Sequence, residues 1–458
     1  MIMIRVGKFG GSSLASADKI RNCVNIAFQE KLSLVVVSAI GKTTQRLLKI
    51  YELALANNQS DLGVSFQELQ DHHFAIAQDL KCAPDIYEKL KLLFHEASEL
   101  TSQMPHHSMN RIESGEILDQ LLSIGERLSS EIFASQIPQG HCFDARTVMI
   151  TDNSYGGSHP FCDILKERAQ RFLMPLFEAH PIVVTQGFIG STSDGATTTL
   201  GFEGSDYSAA LFAEALGAKE IQIWTDVPGV FSMDPRILDK AHVISTLSYE
   251  EMYQLADLGG KVLHPGTLLP AERGHITVWV KSSLDPKAIG TKISASSHTP
   301  HIPAVKALSI RPNQTLVTFK NTGYKPKDSF IKNVFSLFDT YKVDLDLLTS
   351  AKDSVSIVLD GSSSSWPVKH FLAEKEIWAS AYEHVDVLPS FSLIGLVGHN
   401  CLHLTTLLPI LSTLPYPIRF MNYGAHDSSL ALLASEEYTY PIVDFLHQKL
   451  CSAKKGVP

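Results

Sequence analysis

Four stretches of this chain hold residue types that suit chemistry on a phosphate. The first is GKFGGSS, residues 7–13, which closes an apolar run. There Gly10, Gly11, Ser12 and Ser13 can turn backbone N–H groups toward phosphate oxygens, while Lys8 supplies a mobile positive charge. The lysine precedes the glycines, so this is not the GxxxxGK[ST] nucleotide loop. The second is WTDVPGVFSMDPR, residues 224–236. Thr225 and Asp226 end a strand, Pro228-Gly229 forces a turn, Phe231 can flank a base, and Arg236 can fork onto phosphate. Asp-Pro-Arg serves equally as a helix start with a surface arginine. The third, GGKVLHP at 259–265, sets a second cation, Lys261, behind two glycines. The fourth, TLGFEGSDYSAA at 199–210, is a glycine-spaced turn into a helix that stops at Gly217. Ser205 or Asp206 can cap that helix, and its free N–H groups favour an anion. Each turn alone is also what a capped helix without a ligand looks like.

The elements that must position these loops are legible as patterns. Runs of β-branched and apolar residues, IMIRVGKF, LSLVVVSAI, PIVVTQGFIG, EIQIWTDVPGV and ITVWVKS, punctuate the first 290 residues. They are continuously apolar, as strands covered on both faces by helices should be. Between them TQRLLKIYELALA, IYEKLKLLFHEASEL and ESGEILDQLLSIGERLSSEIFASQI place apolar residues three and four apart, which predicts helices. A helix is also expected from about Asp18. The alternation predicts an α/β fold with a largely parallel sheet between helical layers and a site at the carboxyl ends of the strands.

Composition excludes several classes of function. The chain has 458 residues, 44% hydrophobic and 19% charged, with a net charge of −9, which argues against nucleic acid as the main partner. No apolar run reaches the length of a membrane span and the amino terminus carries no cleavable signal pattern, so a cytoplasmic protein is expected. Six cysteines without a CxxC pair predict reduced thiols and no structural zinc. The pairs His72-His73 and His106-His107 lack metal-ligand spacing and are expected on solvated helix faces.

Residues 290–304, GTKISASSHTPHIPA, read as a linker. Beyond it VDLDLLTSAKDSVSIVL resembles PIRFMNYGAHDSSLALL, and each copy lies between two helical segments. Two small α+β units of one design follow, either contiguous or interleaved. Short sheets with one open face favour pairing between chains, so at least a homodimer is expected.

Taken in order, KFGGSS, SAIGKTT, SIGERLSSE, TQGFIG, TTTLG-x-x-GSDYSAAL, IWTDVPGV-x-x-x-DPR and GGKVLHP resemble the aspartate kinases of the amino acid kinase family, of the monofunctional type. The resemblance covers nearly the whole chain, and the C-terminal repeats are similar to the family's paired ACT regulatory domains. It implies a catalytic amino acid kinase domain over residues 1–292, ACT-like units over 305–385 and 386–458, and no following homoserine dehydrogenase. It implies transfer of the ATP γ-phosphoryl group, with Mg2+, to the side-chain carboxylate of L-aspartate, and an amino acid effector at the ACT-like units. Lys8 matches the catalytic lysine and Asp206 the aspartate that orients it or the magnesium shell. Gly10, Gly11, Ser12, Thr225, Asp226, Phe231, Arg236, Lys261 and Val262 match the nucleotide site, Phe231 standing where relatives often have tyrosine. Thr44, Glu126, Phe188, Phe202, Gly204 and Ser205 match the aspartate pocket, with Glu126 suited to the ammonium group.

Two departures mark this chain. Phe202 stands where the family usually has an arginine that grips a substrate carboxylate, so recognition is expected to be weakened or rearranged, with Arg127 and Lys42 as candidates to compensate. In the regulatory half, Ser329-Phe330 and Ala351-Lys352 replace the Gly-Phe and Ser-Glu of lysine-inhibited relatives. A lysine effector would meet a like charge at Lys352, which implies weak or absent inhibition by lysine. A kinase of another carboxylate or carbamate, and a catalytically silent amino acid sensor, stay open as rival readings.

Overall fold

The computed structural model describes residues 3–104, 111–201, 203–260, 263, 265–296, 305–321, 327–351, 353–361, 366–382, 384–399 and 404–451. Its contacts divide into two units. The first comprises 1–230, 243–249 and 262–297, and the second 231–242, 250–261 and 298–458.

The first unit is built on strands β1 (Arg5–Phe9), β2 (Leu34–Val37), β3 (His141–Phe143), β4 (Val183–Gln186), the hairpin β5 (Ile189–Ser191) and β6 (Thr197–Thr199), then β7 (Glu220–Thr225), β8 (Thr246–Ser248), β9 (Thr277–Ser282) and β10 (Thr291–Ser294). Eight of them form one sheet in the order β3-β4-β2-β1-β7-β9-β10-β8. Every neighbouring pair is parallel except β9 with β10. The stretch read as a linker therefore begins as a strand. Ile293 is fully buried, and hydrogen bonding to Val278 outweighs the local Ser and Thr content.

Helices α1 (Ala17–Gln29), α2 (Thr43–Leu55), α3 (Gln59–Asp79), α4 (Pro84–Ser102) and α5 (Arg111–Ser135) pack with Phe9, Val35, Val37, Val184 and Trp224 into one apolar core. Phe9 stacks on Phe133 and Trp224 at centroid distances of 5.7 and 6.2 Å. The short helices α6 (Cys162–Arg168) and α7 (Leu176–Ala179) precede β4, and α8 (Gly204–Leu216) follows the hairpin. Side chains alternate along a strand, so Phe9 enters the α1–α5 core while Lys8 points to the opposite face, where it meets α8.

Helix α3 carries a correction. His73 was expected on a solvated face but is fully buried, its Nδ1 2.8 Å from Leu69 O and its ring edge-on to Phe94. The imidazole's apolar body fills the α3–α4 interface while a backbone carbonyl satisfies the ring nitrogen. The pair His106-His107 lies outside the described residues.

Helix α9 (Tyr249–Asp257) begins at the edge of the first unit and continues in the second, and α10 (Pro265–Arg273) returns to the first. The rest of the second unit holds β11 (Ala307–Lys320), α11 (Lys327–Thr340), β12 (Leu347–Ser350), β13 (Ser354–Asp360), α12 (Trp366–Ala373), α13 (Lys375–Ala379), β14 (His384–Val397), α14 (Leu404–Ser412), β15 (Phe420–Asn422), β16 (Ser429–Ser435) and α15 (Thr439–Leu446). The repeated order helix, strand, strand, helix is that of the two sequence copies. Their strands form one antiparallel sheet, β12-β13-β11-β14-β16-β15.

The two long strands are shared between the copies. In β11, Leu308 enters the core built with β16 and α15, whereas Val317 and Phe319 enter the core built with α11 and β13. Strand β14 does the reverse, with Val385 and Val387 packed on the α11 core and Ile394 and Leu396 in the other.

Candidate active site

The site forms where the chain leaves the carboxyl ends of four adjacent strands, β4, β2, β1 and β7. After β1, a methyl group on Gly11 would stand 2.7 Å from Ala39 O and 2.9 Å from Gly41 O, so only glycine lets this turn lie against the one after β2. Gly10 N–H donates to Trp224 O at 3.3 Å and Ser13 N–H to Gly10 O at 3.0 Å, which ties the turn to β7. Ser13 Oγ lies 2.7 Å from Ser283 Oγ, and Ser283 donates N–H to Thr225 O at 2.7 Å. Thr225 Oγ donates to Asp226 at 3.2 Å, and Asp226 is exposed.

Lys8 is the penultimate residue of β1, and its Nζ lies 2.6 Å from Asp206 Oδ1 in the first turn of α8. Both residues are buried. The ion pair changes one expectation: Asp206 does not cap α8. The N-cap is Glu203, in the left-handed region at φ 54°, with no side-chain cap, because the Asp206 carboxylate is directed to the lysine. Lys8 Nζ also passes 3.6 Å from where a side chain on Gly10 would begin.

Glu126, on α5, is fully buried; its Oε1 accepts the Ala39 N–H at 3.1 Å and its Oε2 has no hydrogen-bond partner. Burial pushes its pKa up to about 8, against the Ala39 hydrogen bond and the positive charge of Lys8. A buried carboxyl with one unused oxygen suits an incoming ammonium group. Gly125 permits the close fit of α5, since a side chain there would strike Ala39 Cβ at 2.9 Å. Thr44 is half-buried in the first turn of α2.

Phe188, after β4, holds φ 69°, a conformation that aromatic residues rarely adopt. It is held there by its N–H donating to Ser208 Oγ at 2.9 Å and its carbonyl accepting Leu200 N–H at 2.8 Å. A side chain on Gly204 would strike the Phe188 ring at 2.9 Å, and one on Gly187 would strike Ser205 at 2.7 Å. Gly204 and Ser205 therefore lie directly against the loop after β4.

The structure thus brings together Lys8, Gly10, Gly11, Ser12, Thr225, Asp226 and Asp206 along the strand ends, with Glu126 and Thr44 on α5 and α2 and Phe188, Gly204 and Ser205 on the β4 side. Phe231 and Arg236 fall in the second unit, where Phe231 is half-buried and the exposed Arg236 pairs with Asp234 at 2.7 Å. Asp234 begins a turn, closed by the Ile237 N–H donating to Asp234 O at 3.0 Å, and not the helix start that the sequence allowed. Lys261, Val262, Phe202 and Lys352 lie outside the described residues. Arg127 forks onto Glu96 at 2.6 and 2.9 Å, an engagement that removes it as a ready replacement for the missing arginine.

One residue escaped the sequence reading. Asp119, fully buried on α5, accepts N–H groups from Thr199 and Gly156. Its signal was available: an acid seven residues before Glu126, two helical turns away and so on the same face of α5, in a helix whose opposite face carries Leu121, Ile124 and Leu128.

Residues 3–282 match the model of the amino acid kinase family. The chain is 34% identical to the lysine-sensitive aspartokinase 3 of Escherichia coli (strain K12), over 98% of this chain and all of that protein. The chain is an aspartokinase of the amino acid kinase family. Aspartokinase 1 of Arabidopsis thaliana, a chloroplastic protein, is 30% identical over 97% of this chain and 79% of its own length. Among solved structures, the E. coli aspartokinase III complex with aspartate and ADP superposes with a TM-score of 0.83 at 33% identity, covering 98% of this chain and 100% of that one. The complex of the same enzyme with lysine and aspartate superposes at 0.81, with the same identity and coverage. The aspartokinase resemblance read from seven motifs thus holds from end to end, as does the α/β architecture with ACT-like units.

Proposed function

We infer that this aspartokinase transfers the γ-phosphoryl group of ATP to the side-chain carboxylate of L-aspartate, giving 4-phospho-L-aspartate and ADP, the first step toward lysine, threonine and methionine. The observation that carries the reading is the buried Lys8–Asp206 pair at the carboxyl edge of a parallel sheet, in a chain alignable throughout with aspartokinases. The acceptor carboxylate is ionised at neutral pH, so the reaction calls for alignment and positive charge rather than a general base.

In this reading a carboxylate oxygen of aspartate attacks the γ-phosphorus in line and the bond to the β,γ-bridging oxygen breaks. Lys8 neutralises charge on the group in transit, and Asp206 holds its ammonium in place. Gly10, Gly11, Ser12, Thr225, Asp226, Phe231, Arg236, Lys261 and Val262 hold the nucleotide. Glu126 receives the aspartate ammonium, with Thr44, Phe188, Phe202, Gly204 and Ser205 completing the pocket.

Magnesium is expected with the nucleotide. Among the described residues no group of three or more His, Cys, Asp or Glu side chains forms a metal cage. Such a setting fits an ion held mainly by phosphates and water, to whose shell the Asp206 carboxylate would contribute. Bound with the nucleotide, the ion would supply charge neutralisation on the phosphates.

Residues 1–292 are proposed as the catalytic domain, and 305–385 with 386–458, interleaved through the shared strands β11 and β14, as ACT-like regulatory units that pair between chains in a homodimer or a higher homo-oligomer. A cytoplasmic location is part of this reading. Among the described residues no helix is long and apolar enough to cross a membrane. The test is a coupled assay for aspartyl phosphate on the purified chain, with a panel of other carboxylic acids. ATP consumption only with a different acid, or nucleotide binding without turnover, would replace this reading.

A further inference from the structure

The Asp119 side chain joins two backbone segments that wall the turn into α8. Its Oδ2 accepts the Thr199 N–H at 2.8 Å and its Oδ1 the Thr199 hydroxyl at 2.8 Å, while the Gly156 N–H reaches both oxygens at 3.0 and 3.1 Å. All three donors are neutral. A carboxylate matches them because it only accepts, whereas an amide would turn an NH2 group toward one of them.

Thr199 is the last residue of β6, two positions before Gly201, where the chain takes φ 81° on its way into α8. The Gly156-Gly157 loop packs back on that position, since a side chain on Gly201 would stand 3.3 Å from Gly156 O and 3.4 Å from Gly157 Cα. Ser158 N–H closes the arrangement by donating to Thr199 O at 2.8 Å. One buried carboxylate thus clamps both the strand that feeds the turn and the loop that backs it. The same helix, two turns on, uses Glu126 to hold the Ala39 N–H at the end of β2.

We propose that Asp119 is a positioning residue for the phosphoryl acceptor: by clamping Thr199 and Gly156 to α5 it sets where the turn carrying Gly204, Ser205 and Asp206 sits relative to Glu126. The proposal rests on the reading that this turn seats aspartate. It distinguishes Asp119 from an ordinary buried acid because loss of the clamp acts on one substrate. The glycine turn after β1, tied to Trp224 and Ser13, makes none of these contacts and keeps its nucleotide-facing geometry.

The test is steady-state kinetics of aspartyl phosphate formation by the full chain, its Asp119→Asn variant and its Thr199→Val variant, each with a thermal melt. Asp119→Asn is expected to raise the KM for aspartate about tenfold, the scale of one buried hydrogen bond to a charged group, with the KM for ATP held. Thr199→Val, which removes only the hydroxyl donor, is expected to give a smaller rise in the same direction. A lowered melting temperature with both KM values unchanged, or an equal rise in both, overturns the proposal. If Asp119→Asn does not fold, an unchanged aspartate KM in Thr199→Val overturns it. A wild-type protein that binds ATP yet phosphorylates no aspartate is a different result, and removes the functional reading on which the clamp depends.

Discussion

Lys8 Nζ and Asp206 Oδ1 stand 2.6 Å apart, each side chain only about a tenth exposed, where the last residues of β1 face the first turn of α8. Two opposite charges so far out of water hold each other in one geometry, which places the lysine before any substrate arrives. Replacing Lys8 by Met is expected to lower kcat by about 10³-fold, the scale of a lost charge-stabilising group at a transferring phosphoryl, with a smaller change in the KM for ATP. Asp206→Ala leaves a buried ammonium unpaired and is expected to cost about 3 kcal/mol of stability in addition to activity. Single-turnover kinetics and a denaturant titration separate the two effects.

Glu126 gives the protein a dependence on pH. Its folded pKa of about 8 lies above the ordinary 4.5, so folding favours the protonated form. The group's stabilising contribution is complete below pH 4.5 and is lost as pH rises through 8. The Glu126→Gln variant should therefore lose less stability than the parent between pH 6 and 9 (roughly the upper part of that window) in melts across pH. An aspartate ammonium is best met by the ionised form, so the parent's KM for aspartate should fall over the same rise in pH. A flat profile in the parent would remove Glu126 as the ammonium partner.

His73 makes the opposite contribution. Burial lowers its pKa from 6.5 to about 4, so the folded protein holds the ring neutral while the unfolded chain takes up a proton below 6.5. The stability it contributes is present above pH 6.5 and is lost as pH falls through 4, on the order of 3 kcal/mol in all. His73→Gln is expected to be less stable at pH 7 and to show a shallower decline between pH 6.5 and 4, read by urea unfolding at fixed pH values.

Phe202 is proposed to weaken substrate affinity. An arginine in its place would restore a two-pronged pairing with a carboxylate, and Arg127 is already engaged by Glu96. Phe202→Arg should lower the KM for aspartate by roughly tenfold or more. An unchanged KM would show that the pocket grips the carboxylate by other groups.

The regulatory half can be checked by a lysine titration of the activity. Because Lys352 would set a like charge against a lysine effector, inhibition should be weak or absent. Half-inhibition at sub-millimolar lysine would refute that account.

The sequence by itself determined the local chemistry. Apolar runs marked β1, β2, β4, β7 and β9, periodic spacing marked α2, α4 and α5, and glycines beside Lys8 and before Asp206 marked the turns, because each signal is a property of a few neighbouring residues. Tertiary structure decided what depends on partners far along the chain. Parallel pairing of β1 with β7 and packing of α8 on the other face brought Lys8 to Asp206. Pairing with β9 made a strand of Thr291–Ser294 inside a polar stretch. Burial between helices took His73 out of solvent, and long strands divided between two cores joined the C-terminal repeats. Asp119 belongs with these: its acid was plain in the sequence, but the two backbone donors it clamps come from other parts of the chain, and only the folded protein sets them before it.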